Sequence, residues 1–248
     1  MHRFFVEPQQ FDADRPVVTG PDVKHMVKVL RLKPGDRVEL LDGSGRAALA
    51  RVESLGRDEV VCSKLSEYKP GGEPPVRVTL VQGLARGEKM DLIIQKCTEL
   101  GVAEIMPMIC SRSVVRLEEG KAAGRQARWQ RVALEAAKQC RRPRVPLVHS
   151  PRDISRVLEE MPPGAAGLMP WEEERNCPIG ELLKGESPGH VYIFIGPEGG
   201  FEPAEVEQAR SRGVATVSLG PRILRTETAG LICLGLVMHR WGDLGVLA

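Results

Sequence analysis

Two stretches of this chain share one pattern, in which an apolar segment predicted to be a β-strand ends in Gly-Pro and a helical segment follows. Val191–Ile195 leads into residues 196–200 (GPEGG), and residues 214–219 lead into Gly220-Pro221. In open α/β sheets, ligands bind at the carboxyl ends of strands. Glycines there let backbone N–H and C=O groups approach a ligand, because no Cβ intervenes. Taken alone, either Gly-Pro segment is most simply an ordinary turn, because glycine and proline are common in turns. The matched pair instead predicts two loops on neighbouring strands that face one ligand site.

From Val76 onward, apolar segments predicted to be strands alternate with helical segments. The apolar residues of Glu88–Leu100 share one helical face, and Gly101 is expected to end that helix. Pro203 stands at the first position of the helix that follows the GPEGG loop. Strands are predicted at 76–82, 102–108, 165–169, 191–195 and 214–219, and helices at 88–100, 124–142, 203–210 and 226–240. The alternation predicts an α/β fold with a mostly parallel sheet.

Residues 1 to about 70 follow a different pattern, in which short apolar segments are separated by Gly, Pro and Asp turn signals. One short helix is expected near Asp22–Leu30. This pattern predicts a small β-barrel. The segment 69–75 (KPGGEPP) is rich in Gly and Pro and stops regular structure. We therefore predict a domain boundary there, with a first domain at 1–72 and a second at 73–248.

Composition limits the class of protein. Apolar residues make up 42% of the chain, which is enough for a packed core. The six cysteines include no C-x-x-C pair, so neither a metal site nor a redox motif is expected. The first residues lack the apolar run of a signal peptide, and no stretch approaches the roughly 18 apolar residues that a membrane span needs. We expect a cytoplasmic protein with no membrane partner.

Neither glycine loop carries a known phosphate-binding fingerprint. The patterns G-x-G-x-x-G and G-x-x-x-x-G-K-[ST] are both missing. ATP and dinucleotides are therefore disfavoured as ligands, and so is a nucleotide-dependent oxidoreductase.

Two basic clusters are candidates for contact with nucleic acid. Residues 121–144 carry eight cations against the single carboxylate of Glu135. A charged helix face is usually a solvated surface, but this imbalance favours RNA. The eight cations are Lys121, Arg125, Arg128, Arg131, Lys138, Arg141, Arg142 and Arg144. The cluster in the N-terminal half consists of Lys24, His25, Lys28, Arg31 and Lys33.

Motifs spread along the whole chain carry a resemblance to a known family. They are His2–Val6, His25–Lys33 with Gly35-Asp36, Lys96–Val102, Ile195–Phe201, Leu219-Gly220 and Ile223–Ala229. On these motifs the C-terminal half resembles the SPOUT methyltransferases. The whole chain resembles the RsmE family, which methylates N3 of a uridine in 16S ribosomal RNA. Residues 135–142 match the family's pattern only loosely.

The resemblance implies a PUA-like RNA-binding β-barrel followed by a SPOUT-type parallel sheet with helices on both faces and a trefoil knot. It also implies S-adenosyl-L-methionine as cofactor, the small ribosomal subunit or its 16S rRNA as partner, and a homodimer. The implied cofactor contacts are Met169, Ile195, Gly196, Pro197, Glu198, Gly199, Gly200, Leu219, Gly220, Ile223 and Leu224. The candidate RNA contacts are Arg3, Lys24, His25, Lys28, Arg31, Arg128, Lys138, Arg141 and Arg142, of which all but Arg3 belong to the two basic clusters.

Methylation of uracil N3 requires that its imide proton leave, and negative charge then spreads onto O2 and O4. A cationic donor would stabilise that charge. Arg225, which follows the second loop, is the first candidate, and Arg112 is a weaker one. Glu227 is expected to accept the proton, to fix Arg225, or only to favour a helix N-terminus as a carboxylate. Glu198 is expected to brace its own loop.

Two rival functions remain open at this point. One is a non-catalytic RNA-binding protein with a degenerate second domain, against which the intact glycines of both loops argue. The other is a SPOUT enzyme that methylates a ribose 2′-oxygen or another RNA base, because fold does not fix substrate. Binding of S-adenosylmethionine distinguishes the first rival, and the identity of the methylated nucleoside distinguishes the second.

Overall fold

The computed structural model describes residues 1–113 and 120–245. Contacts between residues divide the chain into two compact units. The first unit comprises Met1–Glu73 together with Ala137–Val145, and the second comprises the described residues of Pro74–Ala136 and Pro146–Ala248. Nothing in the sequence indicated that a segment as distant as 137–145 would pack with the N-terminal residues.

The first unit is built on a five-stranded sheet. Its strands are β1 (His2–Phe5), β2 (Val17–Thr19), β3 (Arg37–Leu41), β4 (Ala47–Leu55) and β5 (Glu59–Tyr68). They are ordered β1-β3-β4-β5-β2, with β1 parallel to β3 and the other pairs antiparallel. The predicted β architecture is confirmed, and the sheet forms a half-barrel.

Short helical segments close the core of the first unit. They are α1 (Pro8–Asp12), α2 (Pro21–Lys24) and a π-helical turn at His25–Val29. Phe11 and Met26 project from them into a cluster with Leu40 of the sheet, and all three side chains are fully buried. The helix expected near residues 22–30 is therefore confirmed. It ends at Leu30, and the backbone of Arg31 then turns through a left-handed φ of 53°.

The second unit contains a parallel sheet, as the alternation of segments predicted. Its strands are β6 (Arg77–Gly83), β7 (Glu104–Ile109), β8 (Leu147–Val148), β9 (Arg152–Asp153), β10 (Ala166–Pro170), β11 (His190–Ile195) and β12 (Val214–Val217). The order is β12-β10-β11-β6-β7-β8, with β9 also paired to β7, and every pair is parallel. β11 is almost wholly buried, which explains its unbroken apolar sequence.

The helices of this part of the chain are α3 (Lys89–Glu99), α4 (Lys121–Cys140), α5 (Ile154–Glu160), α6 (Ile179–Leu182), α7 (Pro203–Ser211) and α8 (Thr226–Trp241). The end of α4, from Ala137, belongs to the first unit. Gly101 has a φ of 94° just after α3, so its predicted role as a helix terminator is confirmed. Pro203 opens α7 as predicted, and Glu202 and Glu205 form a capping box around it.

One expectation about the sheet is corrected. β11 and β12, which precede the two glycine loops, are not neighbours, because β10 lies between them. Both loops still emerge at the carboxyl edge of the sheet, since all three strands run parallel. The trefoil knot implied by the resemblance stays a prediction. Among the described helices, none is long and apolar enough to cross a membrane.

Candidate active site

A cavity of about 560 Å³ lies at the carboxyl ends of β10, β11 and β12. Its volume is within the range of small-molecule sites, which is about 300–1,000 Å³. Both glycine loops line it, as the sequence predicted. The predicted cofactor contacts on its wall are Ile195, Gly196, Pro197, Glu198, Gly199, Gly200, Leu219, Gly220, Ile223 and Leu224.

Met169 is the predicted contact that does not line the cavity. Its side chain is fully buried in the core, in a cluster with Phe194 and Val214. Successive side chains of a strand point to opposite faces of the sheet, and that of Met169 is directed into the core. The following residues, Pro170 and Trp171, reach the cavity instead.

The GPEGG loop packs against its surroundings at backbone distance. A Cβ on Gly83, the last residue of β6, would lie 2.5 Å from the backbone nitrogen of Pro197. A Cβ on Gly200 would lie 2.6 Å from Oε1 of Glu172, and the φ of Gly200 is +71°. The backbone contact leaves no room for a side chain on Gly83, so the loop can lie directly on the end of β6. At Gly200 the left-handed φ is what favours glycine, because the neighbouring atom is the end of a flexible side chain.

The side chain of Thr226 joins the two loops. Its hydroxyl donates to the carbonyl oxygen of Gly196 across 2.6 Å and accepts from Nε2 of Gln82 at 2.9 Å. Gln82 is fully buried, and its Nε2 also donates to the carbonyl of Gly83. This network fixes the start of α8 relative to the first loop, because a buried polar group that loses its partner is costly.

Glu198 braces its own loop, as expected. Its Oε1 accepts hydrogen bonds from the backbone N–H of Arg86 and from Nζ of Lys89, both at 3.0 Å. Burial raises the pKa of Glu198, but these hydrogen bonds outweigh burial and hold that pKa below its ordinary value. The same hydrogen bond to Glu198 raises the pKa of Lys89. The loop thus carries a fixed carboxylate that faces α3.

The two leading catalytic candidates lie at the start of α8. Arg225 lines the cavity, and its exposed guanidinium makes no hydrogen bond or ion pair with any described residue. The carboxylate of Glu227 is 18% exposed, and its Oε2 lies 3.5 Å from Nζ of Lys89. That oxygen has no hydrogen-bond partner within the described part of the chain. An unpaired cation and a carboxylate with acceptor capacity therefore stand two residues apart at one cavity.

Arg112 lies against the first loop and does not line the cavity. Its Nη1 donates to the carbonyl of Gly199 at 3.4 Å, and its Nε is 3.8 Å from Oε1 of Glu202. A Cβ on Gly199 would lie 3.0 Å from the Cβ of Arg112. These contacts support the loop from outside the site.

Sequence reasoning missed Lys89 and Thr226. Lys89 lines the cavity and contacts both Glu198 and Glu227, yet in the sequence nothing distinguishes it from other lysines of the chain. Thr226 is the first residue of α8, directly after the N-cap position, and a Thr near a helix start is usually explained by capping. Both residues could have been found from the motifs that carry the family resemblance. Thr226 lies inside Ile223–Ala229, and Lys89 begins the helix that leads into Lys96–Val102.

Several cations predicted to bind RNA are exposed on the first unit. Lys24, His25, Lys28 and Arg31 lie along α2, the π-helical turn and the residues that follow it, and all four are exposed. Val23 and Met26 of the same segment are buried. Val27 and Val29 are exposed beside these cations, so the outer face of the segment is basic but not wholly polar.

Other predicted RNA contacts are engaged in ion pairs. Arg142 is only 6% exposed and pairs with Glu73, so its side chain is part of the interior of the first unit and is corrected to a structural role. Lys138 Nζ lies 3.1 Å from Asp22, and Arg128 pairs with Asp91 of α3. The side chain of Lys121 lies outside the part of the chain whose side chains are described.

Comparison with known proteins identifies the family. The model of an RNA methyltransferase domain matches residues 72–238, and the model of an RNA methyltransferase PUA domain matches residues 18–65. The chain belongs to the RNA methyltransferase family. The two glycine loops and the residues that open α8 lie inside the methyltransferase match.

Several relatives align with more than nine tenths of this chain. The ribosomal RNA small subunit methyltransferase E of Bacillus subtilis is 35% identical over 97% of each chain. The protein of the same name from Mycobacterium tuberculosis is 35% identical over 91% of this chain and 87% of its own. The crystal structure of ribosomal RNA small subunit methyltransferase E from Neisseria gonorrhoeae, bound to S-adenosyl methionine, has a TM-score of 0.85. It is 35% identical and covers 98% of this chain and 99% of its own.

Proposed function

We propose that this protein transfers a methyl group from S-adenosyl-L-methionine to N3 of a uridine in the 16S rRNA of the small ribosomal subunit. The observation that carries the proposal is the cavity, whose two glycine loops are joined by Thr226 and whose wall includes Arg225. The names of the Bacillus and Mycobacterium relatives support ribosomal RNA as the substrate, and the Neisseria structure supports the cofactor. The choice of uridine N3 rests on the resemblance to the RsmE family.

The residues of the cavity fit such a cofactor. Gly220 has a φ of +111°, and a Cβ there would meet no atom within 4 Å, so its backbone is open to the cavity. Backbone N–H and C=O groups of the two loops can therefore bind the polar edges of an adenosine, while Leu219, Ile223 and Leu224 offer apolar surface. When bound, the cofactor supplies a methyl group that is already activated on a positively charged sulfur.

The protein's own task is to position the uracil and to stabilise the charge that develops on it. Arg225 provides an unpaired guanidinium at the cavity, suited to the negative charge that spreads onto O2 and O4 as N3 loses its proton. Glu227 provides a carboxylate, which accepts the N3 proton directly or through water, or orients Arg225. Lys89 holds that carboxylate in place.

The target uridine must also be accessible. N3 lies on the Watson–Crick edge, so the base has to be unpaired or turned out of its stack. Affinity for RNA comes mainly from phosphate contacts, and the exposed cations of the first unit, Lys24, His25, Lys28 and Arg31, are suited to provide them. A substrate of this kind would be encountered in the cytoplasm.

We also propose that the protein acts as a homodimer. Ile232 and Leu236 lie one helical turn apart on α8 and are 46% and 37% exposed. Cys233, Leu234 and Val237 of the same helix are buried. The apolar segment of α8 thus fills a core on one side and leaves an apolar strip on the other, which a second copy would cover.

The decisive experiment is transfer of labelled methyl groups from S-adenosylmethionine to unmodified small ribosomal subunits, followed by nucleoside analysis. N3-methyluridine as the labelled product is the expected result. A different methylated nucleoside would show that the protein is a methyltransferase that acts on another target. If no label is transferred and calorimetry shows no cofactor binding, the protein is a non-catalytic RNA-binding protein.

A further inference from the structure

The first unit contains a cavity of about 450 Å³ that shares no lining residue with the cavity of the two glycine loops. It is formed within that unit by residues from β1, β3, the end of β5 and the segment around the end of α4. Beside Met1 and His2, its lining consists of Arg3, Glu39, Tyr68, Lys138 and Arg141. Three of these five side chains are cations.

Glu39 organises the wall of this cavity. It is 2% exposed, accepts a hydrogen bond from the hydroxyl of Tyr68 and forms an ion pair with Nε of Arg3. Burial, and then the hydrogen bond to Glu39, raise the pKa of Tyr68 to about 12, so the hydroxyl remains a donor at physiological pH. Nη1 of Arg3 donates to the backbone carbonyl of Arg141 at 2.8 Å. The Arg3 guanidinium is thereby fixed in orientation.

The cations of the cavity differ in whether they have ion-pair partners. Glu39 balances Arg3, and Asp22 lies 3.1 Å from Nζ of Lys138. Arg141 is exposed, and its guanidinium has no hydrogen bond or ion pair to any described residue. One positive charge is therefore unmatched, next to a guanidinium that is already held in place.

The backbone of Arg141 is unusual for an arginine. It directly follows the last residue of α4, Cys140, and has a φ of +64°. The N–H of Arg142 bonds to the carbonyl of Ala137 at 3.1 Å, which is the hydrogen bond of a Schellman motif. The left-handed residue of that motif is usually glycine, because a side chain there is strained. An arginine at this position lowers the stability of the folded state, but it places an exposed positive charge at the cavity.

We propose that this cavity binds a phosphodiester group of the RNA substrate, with Arg141 supplying the unmatched charge and Arg3 a pre-oriented guanidinium. Guanidinium groups bind phosphate oxygens through paired hydrogen bonds, and a fixed fork loses little entropy on binding. Strained backbone conformations cluster at functional sites, and here the strained residue places a charged side chain at a cavity. The inference rests on the proposed function, because it takes RNA as the substrate.

The test replaces Arg141 by residues that tolerate a left-handed backbone, in the variants Arg141→Gly and Arg141→Asn. Thermal unfolding of Arg141→Gly is expected at a Tm about 2–4 °C above that of the unmodified protein, since the strain is released. Affinity for an unmodified 16S rRNA transcript, measured by filter binding, is expected to fall about 10-fold or more in both variants. The magnitude of the slope of log K against log salt concentration is expected to fall by about 0.7–0.9, which corresponds to the loss of one phosphate contact.

Two matched variants serve as controls. Arg141→Lys keeps the charge and should retain the salt slope. Arg57→Ala removes an exposed arginine of the same unit that does not line the cavity, and should leave the affinity unchanged. A gain in Tm with unchanged RNA affinity and slope would overturn the proposal while leaving methyl transfer to RNA intact. If the unmodified protein itself neither binds nor methylates RNA, the proposed function fails first and the cavity's assignment fails with it.

Discussion

The hydroxyl of Thr226 donates to the carbonyl oxygen of Gly196 across 2.6 Å, and so joins two residues that lie 30 positions apart in the chain. Gly196 begins the first glycine loop and Thr226 begins α8 after the second. The same hydroxyl accepts from the buried amide of Gln82 at 2.9 Å. This side chain therefore links the first loop, the end of β6 and the start of α8 at the wall of the cavity.

Thr226→Val keeps the shape of the side chain and removes its hydroxyl. The buried Nε2 of Gln82 and the carbonyl of Gly196 each lose a partner, at a cost of about 1–3 kcal/mol for such a group. We expect the variant to fold and its affinity for S-adenosylmethionine to fall about 10-fold, as measured by calorimetry. Thr226→Ser keeps the hydroxyl and should bind as the unmodified protein does. Equal affinities for the valine and serine variants would show that the loops are not coupled through this residue.

Gly83→Ala tests the close approach of the first loop to β6. The new Cβ would lie 2.5 Å from the backbone nitrogen of Pro197, so the loop must move. Overpacking of this kind typically costs about 1–3 kcal/mol. We expect a lower Tm and loss of measurable cofactor binding. Gly124→Ala is the matched control, because nothing lies within 4 Å of a Cβ at that position in α4. Alanine favours a helix there by about 1 kcal/mol, so this variant should unfold at the same or a higher Tm.

The outline of the fold and the place of the site could be predicted from sequence, because the signals are local. Unbroken apolar runs mark buried parallel strands, and Gly-Pro marks the ends of β11 and β12. The periodicity of Glu88–Leu100 and the glycine at 101 located α3, which the structure places at Lys89–Glu99. Each of these signals is contained in a window of fewer than twenty residues.

What sequence reasoning missed depends on contacts between distant residues. Lys89 and Glu198 are 109 positions apart, and Arg142 and Glu73 are 69 apart, so neither ion pair is visible in a local pattern. The position of β10 between β11 and β12 is likewise a matter of tertiary pairing. A basic run predicts exposed arginines, so the sequence alone favours an RNA contact for Arg142, whose buried position depends on its distant partner Glu73.

Arg225→Ala and Glu227→Gln test the proposed chemistry. Loss of a donor that stabilises developing charge typically reduces kcat about 100- to 1,000-fold, and loss of a general base reduces it by about 100- to 10,000-fold. We expect turnover on small ribosomal subunits to fall within these ranges, whereas the calorimetric Kd for S-adenosylmethionine should change less than about threefold. These substitutions change reacting groups and leave the loop backbone in place.

Arg212→Ala provides the matched control for Arg225→Ala, because it removes an exposed arginine at the end of α7 that does not line the cavity. Its turnover should equal that of the unmodified protein. If Arg225→Ala or Glu227→Gln methylates at the unmodified rate, that residue has no catalytic role. If either variant loses cofactor binding in parallel with turnover, its role is in binding.

Ile232→Lys with Leu236→Lys tests the proposed dimer face of α8. Both side chains are partly exposed, so lysine is tolerated in a monomer but places charge in an apolar interface. We expect analytical ultracentrifugation to show a dimer for the unmodified protein and a monomer for the double variant. Leu147→Lys, which changes an exposed leucine of β8, is the control and should leave the mass unchanged. A monomeric unmodified protein would remove the dimer from the proposal.

The carboxylate of Glu198 makes the stability of the protein depend on pH in a defined direction. Burial raises its pKa, but the hydrogen bonds from Arg86 and Lys89 prevail and lower that pKa in the folded state. In the unfolded chain a glutamate titrates near pH 4.3. The folded state therefore binds fewer protons, and the stabilisation from this group is complete above about pH 4.3 and is lost as pH falls through the folded pKa.

Glu198→Gln removes this titration, because the amide can still accept the backbone hydrogen bond of Arg86 but carries no charge for Lys89. We expect the variant's Tm to lie below that of the unmodified protein at pH 7, and the gap to narrow as the pH is lowered toward 3. Glu159→Gln, an exposed position on α5, should show no gap at any pH. A gap for Glu198→Gln that stays constant down to pH 3 would mean that the residue stabilises its loop through shape and hydrogen bonding, with no contribution from the charge that faces Lys89.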